Sequence, residues 1–163
     1  ILYNRFHSSS TAYNGVKKWQ NSPLKTGSLK AFYFRTKDFT FGNIVNRKKI
    51  YKVYITYKVG TDGTDSGVGV YAQKNSGNYD LSTVSNNIVF SQSSKFAGTS
   101  TDCYTSGTLN ETDGLWKTAE LKFDNPSEAN NIYSFQILLY TLNGVADFEI
   151  NDISIVYKIK RVK

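Results

Sequence analysis

The residues that could carry out catalysis are few in this chain of 163 residues. It contains one histidine, His7, one cysteine, Cys103, and thirteen Asp or Glu residues. A serine triad would need His7, and no Gly-x-Ser-x-Gly turn is present to expose a nucleophilic serine. A thiol–imidazole pair of Cys103 and His7 has no spacing to support it, and one cysteine with one histidine excludes a zinc site. We therefore expect no catalytic residues and no enzymatic activity.

A weak signal for calcium lies in segment 60–67, GTDGTDSG. Asp62 and Asp65 supply carboxylates within an oxygen-rich loop, but the alternation and the closing Glu of an EF-hand loop are missing. Asp147 and Asp152, near the last strand, are a second source of oxygen ligands. Asp-Gly runs are also ordinary hairpin turns. We expect no cofactor, with calcium at Asp62 and Asp65 as the alternative.

Aromatic side chains that could stack on a sugar ring form a third candidate site. Such sites need exposed rings beside amide or carboxylate groups, and Trp116, Trp19 and Tyr133 are candidates by residue type. In segment 115–123, LWKTAELKF, Trp116 has the parity opposite to the inward-facing apolar residues, which indicates exposure. The alternative is that these rings pack in the core.

Charge is distributed unevenly along the chain, whose net charge is +7. Residues 1–60 carry +11, residues 61–157 carry −8, and residues 158–163 carry +4. If the first and last strands of the domain lie side by side, two basic stretches merge into one patch. The cations of that patch are Arg47, Lys48, Lys49, Lys158, Lys160 and Arg161. Either they are solvated strand edges that discourage aggregation, or they bind an acidic partner.

Nucleic acid is not the partner that the aromatic pattern favours. Segment 50–58, IYKVYITYK, interleaves tyrosine with lysine, as single-stranded nucleic-acid binding requires. Strand alternation, however, places Tyr51 and Tyr57 with Val53 and Ile55 on the core face. Only Tyr54 is then expected on the outer face.

The elements that must position these residues are short β-strands. Residues 1–27 show no period and predict an irregular arm; residues 28–163 predict one antiparallel β-sandwich domain of jelly-roll type. Segments 50–58 and 68–73 are predicted to form a hairpin, and Leu142–Gly144 a second hairpin turn before the last strand. No window is apolar enough to span a membrane. Because residue 1 is Ile, we expect a processed product or a segment of a longer protein.

The last strand, within 147–163, carries its apolar residues on two different parities. Phe148 and Ile150 alternate on one, whereas Ile153, Ile155 and Tyr157 alternate on the other. A bulge or tight turn at Asn151-Asp152 would bring both sets to one face. The pattern therefore predicts burial of Ile155 and Tyr157.

Two stretches together resemble a known family. RTKDFTFGNIVNRKKIYKVYITYK at 35–58 and LWKTAELKF, NIYSFQILLYT and DFEINDISIVYKIKRVK within 115–163 resemble β-sandwich modules of tailed-bacteriophage virion proteins. The resemblance implies a structural module of a tail, fibre or nozzle assembly, present as a ring or multimer and packed against other virion proteins. It also implies a virion assembled in the host cytoplasm. The sandwich is similar to carbohydrate-binding modules as well, so the alternative is binding of a host surface glycan.

Overall fold

The structure is a computed structural model that describes residues 33–59, 68–76, 87–91, 94–96, 102–105, 107–110, 114–140 and 148–161. Within these ranges the chain is all-β and contains no helix. No helix of the described part is long and apolar enough to cross a membrane. The predicted arm, residues 1–27, lies outside the described residues.

The described residues form eleven strands. In chain order they are β1 (Tyr33–Arg35), β2 (Lys48–Lys58), β3 (Val68–Lys74), β4 (Asn87–Ile88), β5 (Ser94–Phe96), β6 (Asp102–Thr105), β7 (Thr108–Leu109), β8 (Lys117–Lys122), β9 (Asn130–Ile132), β10 (Phe135–Tyr140) and β11 (Glu149–Ile159).

The strands make two antiparallel groups of four. One group has the order β1-β10-β3-β7, and the other has the order β5-β8-β2-β11. Strand β6 pairs with both β5 and β7 and so joins the two groups into one hydrogen-bonded path. Strand β4 adds to β3, and β9 adds to β2. Both groups contribute side chains to a single hydrophobic cluster.

Alternating patterns in β2 and β8 form much of that cluster. Val53, Ile55 and Tyr57 of β2 are fully buried, and so are Ala119 and Leu121 of β8. In each strand the intervening residues are more accessible to solvent. This is the alternation expected of antiparallel strands that have one covered face. Strand β10 is buried at every position except its last, because it lies between β1 and β3.

Asn151 is the point at which the last strand changes its face, as the sequence predicts. The register against β2 passes from Ile150 directly to Asp152, so Asn151 has no partner residue. An extra residue in one strand of an antiparallel pair is a β-bulge. The bulge allows Ile150 and Ile153 to pack against the same core although their parities differ.

A second bulge overturns the prediction for Tyr51. Val156 pairs with Lys52 and Tyr157 with Ile50, which leaves Tyr51 as the extra residue of β2. The prediction that Tyr51 faces the core is wrong, because the bulge turns its side chain outward and leaves it 45% exposed. Sequence alternation alone gave no sign of this bulge, because the segment reads as one uninterrupted strand.

The burial predicted for β11 is only partly correct. Ile155 is half-buried and packs against the core, whereas Tyr157 is 40% exposed. The Tyr157 ring lies 4.1 Å from the Phe41 ring, measured between centroids. The physical reason for the exposure is position, because among the described strands β11 has a neighbour on one side only.

The described strands form neither predicted hairpin, and the predicted turn Leu142–Gly144 itself lies outside the described residues. Strand β2 pairs with β8, β9 and β11, whereas β3 pairs with β4, β7 and β10. Strand β10 likewise pairs with β1 and β3 and not with β11. In both cases the chain passes from one four-stranded group to the other, so consecutive strands belong to different groups.

Candidate interaction surface

The β2–β11 ladder brings the two basic stretches of the sequence together. Lys158 lies directly opposite Lys49, and the Lys160 backbone N–H donates to the Arg47 carbonyl at 2.8 Å. With Arg161 these residues make five cations at one end of one strand pair, which we call the basic end. Lys49 and Lys158 are about 110 positions apart in the sequence. They meet because β11 runs antiparallel beside β2, so the end of β11 lies next to the start of β2.

The cations of the basic end contact aromatic and amide groups. Arg47 Nε donates to the Tyr133 hydroxyl at 3.2 Å, and its guanidinium carbon lies 5.7 Å from the centroid of that ring. Lys49 Nζ lies 5.1 Å from the centroid of the Tyr51 ring. Lys160 Nζ donates to Asn131 Oδ1 at 2.6 Å. These contacts orient the cations without neutralising them.

No cation of the basic end forms an ion pair with an acid among the described residues. Lys49 and Lys158 also face each other across the ladder, an arrangement that destabilises a strand pair because like charges repel. Within the part of the chain that the structure describes, the basic end is therefore an uncompensated concentration of positive charge.

Lys48 was predicted to belong to this surface, and that prediction is wrong. The parity of β2 before the Tyr51 bulge turns Lys48 inward, and its side chain is fully buried. Its ammonium donates to the carbonyl oxygens of Asn43 and Tyr133. Burial removes water from the ammonium and lowers the pKa of Lys48 below its ordinary value.

Cations elsewhere on the same outer face are paired with acids. Lys52 and Lys122 both contact the Glu120 carboxylate, at 3.1 and 3.3 Å, and Lys58 pairs with Glu149. The Tyr54 hydroxyl donates to Glu120 at 2.7 Å. That hydrogen bond first, and then those from the two lysines, hold the pKa of Glu120 below its ordinary value.

Lys52 shows the complementary pKa shift. The Tyr54 hydroxyl and then the Glu120 carboxylate raise the pKa of Lys52 above its ordinary value, because both favour the charged ammonium. The cations in the middle of β2 and beside it therefore contact an acid, in contrast with those of the basic end.

The candidate aromatic platforms are not brought together. Trp116 is 49% exposed, as its parity indicates, and Lys58 Nζ lies 5.3 Å from its ring centroid. Tyr133 is 39% exposed and belongs to the basic end. Tyr133 lies near the start of β2 and Trp116 lies near its end. About nine residues of extended strand, or about 30 Å, therefore separate the two rings. They cannot contact one sugar ring, and Trp19 lies outside the described residues.

Most of the candidate metal and catalytic residues lie outside the part of the chain that the structure describes. Asp62, Asp65, Asp147 and His7 lie outside the described residues, and of Cys103 only its backbone position in β6 is described. The Ser154 hydroxyl donates to Asp152 Oδ2 at 2.6 Å. Within the described ranges no three His, Cys, Asp or Glu side chains are grouped as metal ligands.

Two features of this surface escaped the sequence analysis. Tyr51 joins the outer face through the bulge, and Asn131, with a positive φ of 59°, anchors Lys160. The charge order along β11, with acids first and cations last, is a third feature and can be read from the sequence alone.

Comparison of the chain with protein-family models, curated proteins and solved structures finds no match.

Proposed function

We propose that this chain is a non-enzymatic structural module that docks through its basic end onto an acidic protein surface. In this proposal the two four-stranded groups face each other as a β-sandwich of jelly-roll type. The single core cluster supports that arrangement, because buried residues of β2 and β8 share it with buried residues of β3 and β10. Two sheets packed face to face would produce such a shared core.

The observation that carries the proposal is the pairing of Lys49 with Lys158. A solvated edge could tolerate scattered lysines, yet these two face each other inside a paired ladder, with Arg47 and Lys160 beside them. Elsewhere on β2 the chain neutralises its cations with Glu120 and Glu149. Repulsion that the fold leaves uncompensated is relieved when an acidic surface covers it.

The setting we propose is a virion, in which the module packs against other virion proteins in a tail, fibre or nozzle assembly. This setting rests on the resemblance of residues 35–58 and 115–163 to phage β-sandwich modules. A module that repeats in a symmetric assembly needs a surface of defined charge to fix its orientation, and the basic end would supply one.

The experiment measures retention of the chain on immobilised poly-L-glutamate as salt is raised. The variant K158E/K160E/R161E should lose most of the retention. The control variant R35E/K37E/K74E changes the net charge equally but leaves the basic end intact, and it should retain most of it. Equal losses in both variants would show that only total charge matters. Stronger retention of the unmodified chain on duplex DNA would contradict an acidic protein partner.

A second candidate function is glycan binding at Trp116, which the exposure of this ring favours. If a sugar stacks there, Trp116→Ala should weaken binding on a glycan array by about tenfold or more without loss of fold. Tyr133→Ala, about 30 Å away along β2, is the control and should leave that binding unchanged. Unchanged glycan retention by Trp116→Ala would remove Trp116 from any sugar site.

A further inference from the structure

Strand β11 has an open edge in the described structure. It pairs with β2 along its whole length and with no other described strand. The backbone N–H and C=O groups that point away from β2 are therefore available to a further strand. Eleven residues, Glu149–Ile159, form this edge.

The outward-facing side chains of β11 are ordered by charge. Glu149 and Asp152 pair with Lys58 and Thr56 of β2 near the start of β11, and Lys158 lies opposite Lys49 near its end. With Lys160, which follows the strand, the outer face of β11 has two acids at one end and two cations at the other. When two such strands lie antiparallel, the acids of each strand face the cations of the other.

We propose that a second copy of this chain pairs antiparallel along the open edge of β11, around a twofold axis at Ile155. This inference rests on the proposed function and names its partner, because the acidic surface that meets the basic end is the acidic half of β11 in the other copy. The two edges would then join the β2-containing groups into one continuous sheet.

The charges select the register. With the axis at Ile155, Asp152 faces Lys158 of the partner subunit. Glu149 faces Lys160 of the partner subunit, because Asn151 is skipped as it is against β2. In this pair Glu149 would be shared with Lys58 of its own chain, and Lys160 would exchange its contact with Asn131 for the carboxylate. Twofold symmetry makes four ion pairs. Moving the axis to Ser154 or Val156 shifts the strand pairing by two residues and leaves two ion pairs. A shift of the pairing by one residue is excluded, because it would place side chains of opposite faces against each other.

The same register covers apolar groups that the isolated chain leaves accessible. Tyr157 and Ile159 of β11 are each 40% exposed. With the axis at Ile155, Tyr157 faces Ile153 of the partner subunit, and Ile159 faces Ile150 of the partner subunit. Charge pairs would then lie on the outer face of the joined sheet and apolar pairs on its inner face.

Other occupants of this edge fit the charges less well. Residues 1–32 contain five Lys or Arg and no acid, so they cannot neutralise the basic half of β11. Parallel stacking of identical strands would place each Lys158 beside another Lys158 and is disfavoured. Of these three occupants, the reversed copy alone matches both halves of the strand at once.

The test uses two single charge reversals in the full chain, Asp152→Lys and Lys158→Asp, with mass measured by sedimentation equilibrium. Each variant alone would place like charges opposite each other twice, so each should dimerise at least tenfold more weakly than the unmodified chain. An equimolar mixture should recover dimerisation, because the heterodimer restores opposite charges at both positions. Far-UV circular dichroism and thermal melting establish that both variants are folded.

The outcomes separate this inference from the proposed function. A monomeric unmodified chain at about 100 µM, a concentration that would reveal dissociation constants well into the micromolar range, overturns the dimer. If that monomer still needs the basic end to bind poly-L-glutamate, the proposed function stands with another protein as partner. A dimer unaffected by either reversal, or a mixture that does not recover dimerisation, overturns the β11 register.

Discussion

Lys48 holds a buried ammonium whose role is structural. Its side chain is fully buried beside Ile50, and its donors satisfy the Asn43 and Tyr133 carbonyl groups. The Tyr133 side chain in turn contacts Arg47 through its hydroxyl group and its ring. A buried cation is costly unless it is fully hydrogen-bonded, so Lys48 fixes both segments at the rim of the basic end while contributing no exposed charge.

We expect Lys48→Met to destabilise the domain by about 1–3 kcal/mol, because two carbonyl groups lose their donor. Lys49→Met at the neighbouring position is the matched control and should change stability by less than about 0.5 kcal/mol, as surface substitutions usually do. Urea unfolding measures both. A Lys48→Met variant as stable as Lys49→Met would show that water replaces the ammonium at no cost.

Glu120 gives the domain a defined sensitivity to acid. Its pKa is lowered in the folded state, so it binds fewer protons there than in the unfolded chain. The resulting stability is fully present above the ordinary pKa of 4.5 and is lost as pH falls through the lowered folded value. We expect Glu120→Gln to flatten the loss of melting temperature below pH 4.5. Tyr54→Phe should flatten it partly, and an unchanged acid profile in both variants would contradict this assignment.

At the scale of elements, the sequence predicted what depends on local alternation. The inward set of segment 115–123 was predicted correctly, because the alternation there is uninterrupted: Ala119 and Leu121 of β8 and Phe123, just after it, are buried. The Asn151 bulge was predicted because two apolar parities conflict within one strand. The Tyr51 bulge was missed because apolar Tyr51 continues the pattern of β2, and only the pairing with β11 reveals it.

Strand pairing and the site itself could be predicted only in part. The merging of the basic stretches was expected because the first and last strands would lie side by side. The stretches do meet, but for another reason: the last strand, β11, pairs with the second strand, β2, whereas the first strand, β1, pairs with β10. The hairpin of 50–58 with 68–73 failed because nearness in sequence does not determine pairing when the chain crosses between strand groups. The prediction that Lys48 is exposed failed because its burial follows from the Tyr51 bulge, which turns an otherwise outward position inward.

The Asn151 bulge makes an element-scale prediction. Deleting Asn151 would extend the register of Ile153 and Ile155 and turn Phe148 and Ile150 away from the core. Both side chains are partly buried, so the loss should be about 2–3 kcal/mol on the scale of apolar burial. Asn151→Ala keeps the extra residue and should cost much less. Equal stability of the deletion and Asn151→Ala in urea would show that the bulge does not set the register.

At the scale of the whole molecule, charge separates along the chain and along the ladder alike. The segment that ends in β2 is strongly basic, the middle of the sequence is acidic, and the last residues are basic again. Antiparallel pairing of β11 with β2 concentrates the basic segments at one end of the ladder. If the basic end serves binding rather than stability, reversing the charge of its cations should make the domain more stable.

We therefore expect K158E/K160E/R161E, measured at a dilution that keeps every chain monomeric, to be more stable than the unmodified chain. Glu at position 158 would attract Lys49 instead of repelling it, a change of about 0.2–1 kcal/mol that high salt should abolish. The control R35E/K37E/K74E lowers the net charge from +7 to the same +1, so it reports the effect of total charge alone. Thermal melting at low and high salt compares the two. If both variants gain equally, the gain comes from net charge, and the Lys49–Lys158 repulsion does not strain the ladder; if only the basic-end variant gains, the fold sacrifices stability at the surface that the partner covers.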